Sequence, residues 1–231
     1  MAIDSRVLNI SGLDVHVVQK KMKNLRMAVK PPNGEVRISV PYRTPQYHVR
    51  DFVLAQWDWI KARQDEIRSR PVARASTYVN GEIHPLWGQS KTLTVIDTLG
   101  WDSVVATETS LVMHAKKGSS VAQREHLLSE FYRRQIKTHI PPLIELYAPE
   151  MGVKVSFWGV KKMKSRWGTC NISQGRIWLN LVLAKKPPVC LEYVVVHELV
   201  HLLESRHNKR FWGLVAHFMP HWQNGHAPLT A

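Results

Sequence analysis

The chain of 231 residues is 44% hydrophobic and 22% charged, which excludes extended disorder and allows one large domain or two small ones. No apolar run reaches the roughly 18 residues of a membrane span, so we expect no membrane partner. The net charge of +14 lies entirely within residues 1–186, because the remainder holds three basic residues and three glutamates.

The N-terminal third is predicted to form strands and then one helix. LNISGLDVHVV, NLRMAVKP and EVRISVP alternate apolar with polar residues, and residues 31–34 (PPNG) predict a turn between the last two. Thr44 and Pro45 resemble an N-cap followed by a first-turn proline, and the periodicity that follows predicts a helix to about Arg70. A basic loop is expected over residues 68–76.

The middle of the chain adds strands and a second helix. Asn80-Gly81 predicts a tight turn, and KTLTVID and SLVMHAK read as strands. Ser120 and Gln123 have the spacing of a capping box, so a helix is expected through HLLSEFYRRQIKTHI, with a possible restart after the Pro141-Pro142 pair.

Lys117-Gly118 interrupts this pattern and suggests a domain boundary. We therefore divide the chain into a strand-rich subdomain with one helix, residues 1–118, and a second subdomain, residues 119–231. In the latter, KVSFWGV and RIWLNLVLA are predicted strands joined by the basic segment KKMKSRWGTCNISQG. Pro187-Pro188 ends the second strand and opens the helix that carries HELVH.

His197 and His201, in HELVH, are candidate metal ligands. On a strand they would lie about 13 Å apart, too far to share one zinc ion, whereas on a helix they stack about 6 Å apart on one face. Apolar residues surround this helix, which predicts that it is buried. Glu198 points about 100° away from His197, so it can act as general base beside the metal rather than bind it.

The third ligand has two candidates. His207 follows His197 by ten residues, and SRHN is a plausible helix end at which the chain can fold back. Glu204 continues the helix face, but a straight helix would carry it past the ion. We favour His207 as ligand and Glu204 as a residue that orients a ligand. Three histidines further along, His217, His221 and His226, are expected to be surface residues.

These motifs together resemble the YgjP-like metallopeptidase family. The resemblance rests on SRWGTC (165–170), IWLN (177–180), YVVVHELVHL and the later H-x-x-x-F-W, with NLRMAVKPPNGEVRISVPYRTP and WDWIKARQ nearer the N-terminus. It covers about residues 20–225. The resemblance implies zinc on His197, His201 and His207, with Glu198 as base. It also implies an α+β fold with a compact, zincin-like subdomain, in which a small sheet lies beside the metal helix.

Two reactions fit this pattern. A zinc peptidase would cleave a peptide or protein substrate, which an edge strand over residues 176–183 could hold by main-chain pairing. A nucleotide pyrophosphatase would use the same centre, with phosphate bound by Lys161, Lys162, Lys164 and Arg166. Arg166, Trp167 and Lys164 are the candidate substrate-binding residues in either case. A structural turn with Trp167 in the core is the equally weighted alternative.

A structural zinc module that binds nucleic acid is a lesser alternative, which would need Cys170 as fourth ligand. The basic residues within 1–186 could attract polyanions, although a solvated basic face is the simpler interpretation because no known nucleic-acid motif accompanies them. Cys170 and Cys190 are too few for a disulfide framework and are expected to be reduced. With no secretory leader recognisable in MAIDSRVLNISGLDV, these features predict a cytoplasmic protein.

Overall fold

The computed structural model describes residues 5–69 and 76–230. The chain forms two compact units that divide between Ala75 and Ser76, called here the N-terminal unit and the C-terminal unit. Most of the predicted basic loop, residues 70–75, lies outside the described residues. No helix of the described residues is long and apolar enough to cross a membrane.

The N-terminal unit combines one mixed sheet with two helices. Its elements are β1 (Ser5–Ile10), β2 (Leu13–Lys20), β3 (Arg26–Lys30), β4 (Glu35–Pro41), α1 (Gln46–Ala55) and α2 (Trp57–Ser69). The strand order is β1-β2-β4-β3, with β2 and β4 parallel and the other pairs antiparallel. The alternation seen in the sequence places Val15, Val17, Val36 and Ile38 in a core with the helices, while the opposite sheet face stays largely exposed.

The helical part of this unit differs from the prediction in two ways. The N-cap of α1 is Pro45 rather than Thr44, whose hydroxyl instead donates to the carbonyl of Pro41 at 2.8 Å. The single predicted helix is also broken at Gln56, which caps α1 with non-helical backbone angles before α2 begins. Both α1 and α2 bury residues in the same core, so the hydrophobic periodicity continues across the break. The periodicity therefore could not reveal that the helix is interrupted.

The C-terminal unit contains two sheets and four helices. Its elements are β5 (Ile83–Leu86), β6 (Gln89–Thr98), β7 (Ser103–Ala106), β8 (Ser110–Lys116), α3 (Val121–Glu150), β9 (Phe157–Lys161), β10 (Gly168–Asn171), β11 (Arg176–Asn180), α4 (Pro188–Val200), α5 (Lys209–Phe218) and α6 (Trp222–Thr230). The first sheet has the order β5-β6-β8-β7 and the second β10-β11-β9. The molecule therefore has the expected α+β architecture.

The long helix α3 joins the two sheets of this unit into one core. The predicted capping box is present, since Ser120 accepts from the backbone of Gln123 and the Gln123 side chain accepts from the backbone of Ser120. The helix continues through Pro141 and Pro142 without restarting. Leu111 of β8 and Ile136 of α3 belong to the same buried cluster, so the boundary expected near residue 118 falls inside a compact unit of the structure.

The small sheet departs from the prediction at one strand. The basic segment between the two predicted strands contains a third, β10, which pairs antiparallel with β11. Because β11 also pairs with β9, it is the central strand, and the expectation that residues 176–183 form an edge strand is wrong. The edge strand that contacts α4 is β10 instead.

Candidate metal centre

The HELVH segment lies on α4, a helix buried on nearly every side. Pro188 occupies the first turn, where its missing N–H costs nothing, and nine residues from Cys190 to Val200 are buried. Tertiary burial thus overrides the strand preference of the run of three valines before His197. The helix ends at His201, which still has helical backbone angles, so His197 and His201 project from the same face.

Three histidines converge where α4 ends. The candidate ligand atoms of His197, His201 and His207 all lie within 4.8 Å of one another, and Nε2 of His197 is 3.0 Å from Nε2 of His207. Two nitrogens bound at 2.0–2.1 Å to one tetrahedral zinc ion would lie about 3.3 Å apart, so the separation of His197 and His207 is close to that of two ligands of one ion. The chain turns back at Asn208, whose side chain accepts from the backbone of Phe211 and caps α5.

Hydrogen bonds at the far nitrogens orient two of these rings. Nδ1 of His201 donates to the main-chain carbonyl of Glu204 at 3.2 Å, which leaves Nε2 free as an acceptor. Nδ1 of His197 lies 3.3 Å from the hydroxyl of Tyr193, so its Nε2 also faces the cluster. Glu204 therefore acts through its backbone, while its carboxylate accepts from the N–H of Arg206.

Burial keeps the imidazoles of His197 and His201 neutral, the form that binds metal. Burial and the neighbouring histidines lower the pKa of His197 to about 3. Burial likewise lowers the pKa of His201, against the opposing effect of the Glu204 carbonyl. Phe211 is fully buried beneath the cluster, with its ring centroid 4.7–4.9 Å from those of all three histidines.

Glu198 lies beside the histidine cluster and is only 5% exposed. Burial raises the pKa of Glu198 to about 8, an effect partly opposed by the guanidinium of Arg166. Its carboxylate packs on the backbone of β10 so closely that a Cβ placed on Gly168 would lie 2.5 Å from Oε1. Only glycine fits at this position while Glu198 keeps its place, so β10 and α4 together set the position of the carboxylate.

The loop before β10 is held by one buried amide. Asn180 donates to the carbonyls of Met163 and Arg166 and accepts from the backbone N–H groups of Met163 and Val182. All the hydrogen-bonding capacity of this side chain is thereby used, which explains how a polar group can be buried in the core. The amide fixes the loop that carries Arg166 and Trp167 to the wall of the metal cleft.

An open cleft of about 760 Å³ surrounds these groups. Its lining includes the three histidines, Glu198, Arg166, Trp167, Thr169, Cys170, Tyr193, His226 and Leu229. The last two residues come from α6, which packs so tightly on α4 that a Cβ on Gly225 would meet Tyr193 and the Val189 carbonyl at 2.5 Å. Trp167 Nε1 donates to the carbonyl of Leu229 at 3.2 Å, so the C-terminal helix forms one wall of the cleft.

Comparison with known proteins identifies the family. A family model described as YgjP-like, metallopeptidase domain, matches residues 23–231. The chain belongs to the YgjP-like metallopeptidase family. Among solved structures, the metallopeptidase zymogen of Pyrococcus abyssi abylysin is similar at 22% identity and a TM-score of 0.31, covering 33% of this chain and 76% of that one. No curated protein matches the chain.

Two residues of this YgjP-like chain, Lys164 and His226, lie elsewhere than the sequence predicted. Lys164 is exposed and is not among the residues that line the cleft. His217 and His221 are exposed, as expected, but His226 contributes to the cleft wall. Its ring lies 5.5 Å from that of Tyr193, a proximity that only the packing of α6 on α4 creates. No local sequence signal could have revealed it.

Cys170 lines the cleft without joining the histidine cluster. Among the described residues, the group that could hold a metal ion consists of His197, His201 and His207. Both Cys170 and Cys190 are free. Burial, with the nearby charge of Glu198, raises the pKa of Cys170 to about 11, which disfavours the thiolate needed for coordination.

Proposed function

We propose that this YgjP-like metallopeptidase is a zinc-dependent enzyme that hydrolyses peptide bonds, with Glu198 as general base. The observation that carries the proposal is the convergence of three imidazoles next to a buried carboxylate in an open cleft. Three nitrogen donors suit zinc, and three protein ligands are the number usual for catalytic rather than structural zinc sites. His197, His201 and His207 would hold the ion.

The proposed reaction follows from the position of Glu198. A zinc ion would supply Lewis-acid polarisation of the scissile carbonyl and make water more acidic. A carboxylate oxygen of Glu198 takes a proton from the attacking water and then delivers it to the departing amine. Without an ion, burial raises the pKa of Glu198 to about 8. A bound divalent cation would lower this pKa and so favour the carboxylate form that accepts the proton.

The unpaired edge of β10 is the proposed binding site for an extended peptide. Gly168, Thr169 and Cys170 line the cleft, and among the described residues no strand pairs with β10 on the side opposite β11. Main-chain N–H and C=O groups along that edge can bind a substrate strand irrespective of its side chains. Arg166 and Trp167 at the start of β10 would contact substrate residues beside the scissile bond.

The pyrophosphatase alternative has less support from the side chains. Of the four cations assigned to phosphate, only Arg166 lines the cleft. Lys162 forms an ion pair with Glu125 at 2.9 Å, and Lys161 lies over the ring of Trp178. A nucleoside triphosphate in this cleft would therefore lack the cluster of positively charged side chains that binds its phosphates.

The decisive experiment compares the zinc-loaded protein with Glu198→Gln on casein, on a peptide library and on a panel of nucleoside triphosphates. We expect peptide products from the zinc-loaded protein and a loss of about 100-fold or more in Glu198→Gln, with zinc content unchanged. Glu192→Gln is the matched control, because it makes the same change on the same helix. The carboxylate of Glu192 accepts a hydrogen bond from the hydroxyl of Tyr147.

The outcomes separate the hypotheses. Peptide cleavage that persists undiminished in Glu198→Gln would show that another group is the base. Nucleotide hydrolysis without peptide cleavage, abolished in Glu198→Gln, would establish the phosphoanhydride reaction in place of the proposed one.

A further inference from the structure

The N-terminal unit carries a concentration of positive charge that the peptidase reaction does not use. Residues 20–50 include eight lysines and arginines but only one acidic residue, Glu35. Four of these cations, Lys20, Lys21, Lys23 and Arg26, are clustered at the connection between β2 and β3. We call these four residues the basic cradle.

The basic cradle lines a single depression of about 590 Å³, together with Met22, Asn24 and Ser39. All four cations are exposed, and among the described residues none of their side chains forms an ion pair or a hydrogen bond. By contrast, Arg37 on the neighbouring strand is paired with Glu35 at 2.9 Å. Four unpaired like charges around one concavity repel one another, and a bound polyanion relieves that repulsion.

The surroundings of the cradle favour nucleic acid over other polyanionic partners. Exposed large apolar side chains are absent from the β2–β3 connection, because Met22 and Leu25 are half-buried, so the surface lacks the groups that insert into a lipid bilayer or anchor a protein interface. Strands β1 to β4 contain no Phe, Tyr or Trp on which bases could stack. What the cradle offers a partner is exposed positive charge spread over several residues, which suits phosphates spaced along a backbone.

We propose that the basic cradle binds the phosphodiester backbone of nucleic acid without reading its sequence. Ser39 on β4 pairs with Arg26 on β3 and with Val18 on β2, so the cradle lies at one end of the sheet and extends across three strands. A strand of nucleic acid following that end contacts the four cations in turn. Binding at this site is independent of the metal centre.

The test measures the anisotropy of a fluorescent 20-nucleotide single strand, and of the corresponding duplex, titrated with the full chain between 50 and 200 mM salt. If four phosphates are contacted, log affinity falls with log salt at a slope of about −2.8 for the single strand and about −3.6 for the duplex. Affinity for the single strand then drops about 50-fold across this range. Binding that is unaffected by scrambling the sequence is also expected.

Matched variants assign the site. Replacing Lys20, Lys21 and Lys23 by Gln should flatten the single-strand slope to about −0.7, because one cation of the four is left. The control replaces Lys116, Lys117 and Lys137, three exposed lysines elsewhere, by Gln and so removes the same net charge while leaving the slope unchanged.

Equal loss in both variants, no binding at 50 mM salt, or tighter binding to phosphatidylserine vesicles than to either nucleic acid would overturn the proposal. Circular dichroism checks that both variants fold, and peptidase activity should be the same in both.

Discussion

The two units of the molecule differ in where they keep their polar groups. In the described part of the N-terminal unit, Gln64 is the one buried polar side chain, and it donates to the carbonyl of Gly34 at 2.8 Å. The C-terminal unit buries Glu198, Asn180, His84 and Lys91. The described part of the first unit thus keeps its ionisable side chains at the surface, whereas the second buries three of them, Glu198, Lys91 and His84.

The two proposed functions make opposite demands on burial. A group that moves a proton or holds a metal is most effective where water is excluded and its neighbours are fixed, so the proposed role of Glu198 as base would account for its burial. A surface that attracts a polyanion acts over a distance and needs exposed cations rather than buried ones. The contrast predicts that substitutions in the two units will affect different measurements.

The largest effect is expected from removing a histidine of the cluster. His201→Ala should abolish stoichiometric zinc binding and lower peptidase activity by at least the roughly 100-fold expected for loss of the base. Inductively coupled plasma mass spectrometry gives the zinc content of the purified protein. His217→Ala, an exposed histidine on α5, should change neither quantity. Full zinc occupancy in His201→Ala would remove this residue from the ligand set.

Two core substitutions should separate the units. Ile38 and Leu179 are both fully buried, one in each core, and each change to Ala should cost about 2–5 kcal/mol of unfolding free energy. Leu179→Ala should also weaken zinc binding, because Leu179 pairs with Gly168 beneath the metal centre, while Ile38→Ala should not. Urea unfolding and zinc titration measure both. Equal losses of zinc affinity would mean that the units behave as one cooperative fold.

The sequence predicted those features of the molecule that depend on neighbouring residues. Alternation, capping and proline preferences over a few residues predicted β3, β4, the capping box at Ser120 and the helix that begins at Pro188. The stretch LNISGLDVHVV was read as one run, but a turn at Ser11-Gly12 divides it into β1 and β2. The convergence of His197 with His201 is likewise local, because four residues make one helical turn. The YgjP-like family was predicted from the resemblance of the chain's motifs, the α+β class was what that resemblance implied, and both are confirmed.

Features that depend on distant residues were less accessible. β10 lies in a segment rich in basic residues, and its strand conformation depends on pairing with β11, so neither it nor the central place of β11 was predicted. The contribution of His226 to the cleft requires α6 to pack on α4. The burial of Asn180 depends on hydrogen bonds to the loop that contains Met163 and Arg166, which comes earlier in the chain. Glu198 was identified from its motif, but its contact with Gly168 was not.

That contact provides the next prediction. In Gly168→Ala the new methyl group would meet Oε1 of Glu198 at 2.5 Å, so the carboxylate must move. A displacement of about 1 Å can reduce the rate about 100-fold, and we expect a loss of that order in kcat with zinc content unchanged. Gly213→Ala is the control, because a Cβ there meets nothing within 4 Å and the helix should gain about 0.5–1 kcal/mol. Unchanged kcat in Gly168→Ala would show that the carboxylate need not occupy its present place.

A smaller effect is expected from the hydroxyl that orients His197. Tyr193→Phe keeps the aromatic packing but removes the group 3.3 Å from Nδ1, and such losses typically lower metal affinity about 10-fold or more. Competition with a chromophoric chelator measures the affinity. Tyr147→Phe is the control. It removes a hydroxyl of α3 that donates to Glu192, which lies on α4 next to Tyr193, so it should leave zinc affinity unchanged. If the two variants bind zinc equally well, Tyr193 does not orient the ligand.

The smallest effect is expected at Cys170, where a null result distinguishes a catalytic from a structural zinc site. Cys170→Ala should retain wild-type zinc affinity, because the thiol lies outside the histidine cluster and its pKa of about 11 keeps it protonated at neutral pH. For the same reason, iodoacetamide should alkylate Cys170 slowly at pH 7 and faster only as the pH approaches 11. A loss of zinc in this variant would mean that the site is closed by a fourth protein ligand. A metal held in that way has no open position for substrate, and the buried base beside it would then need another explanation.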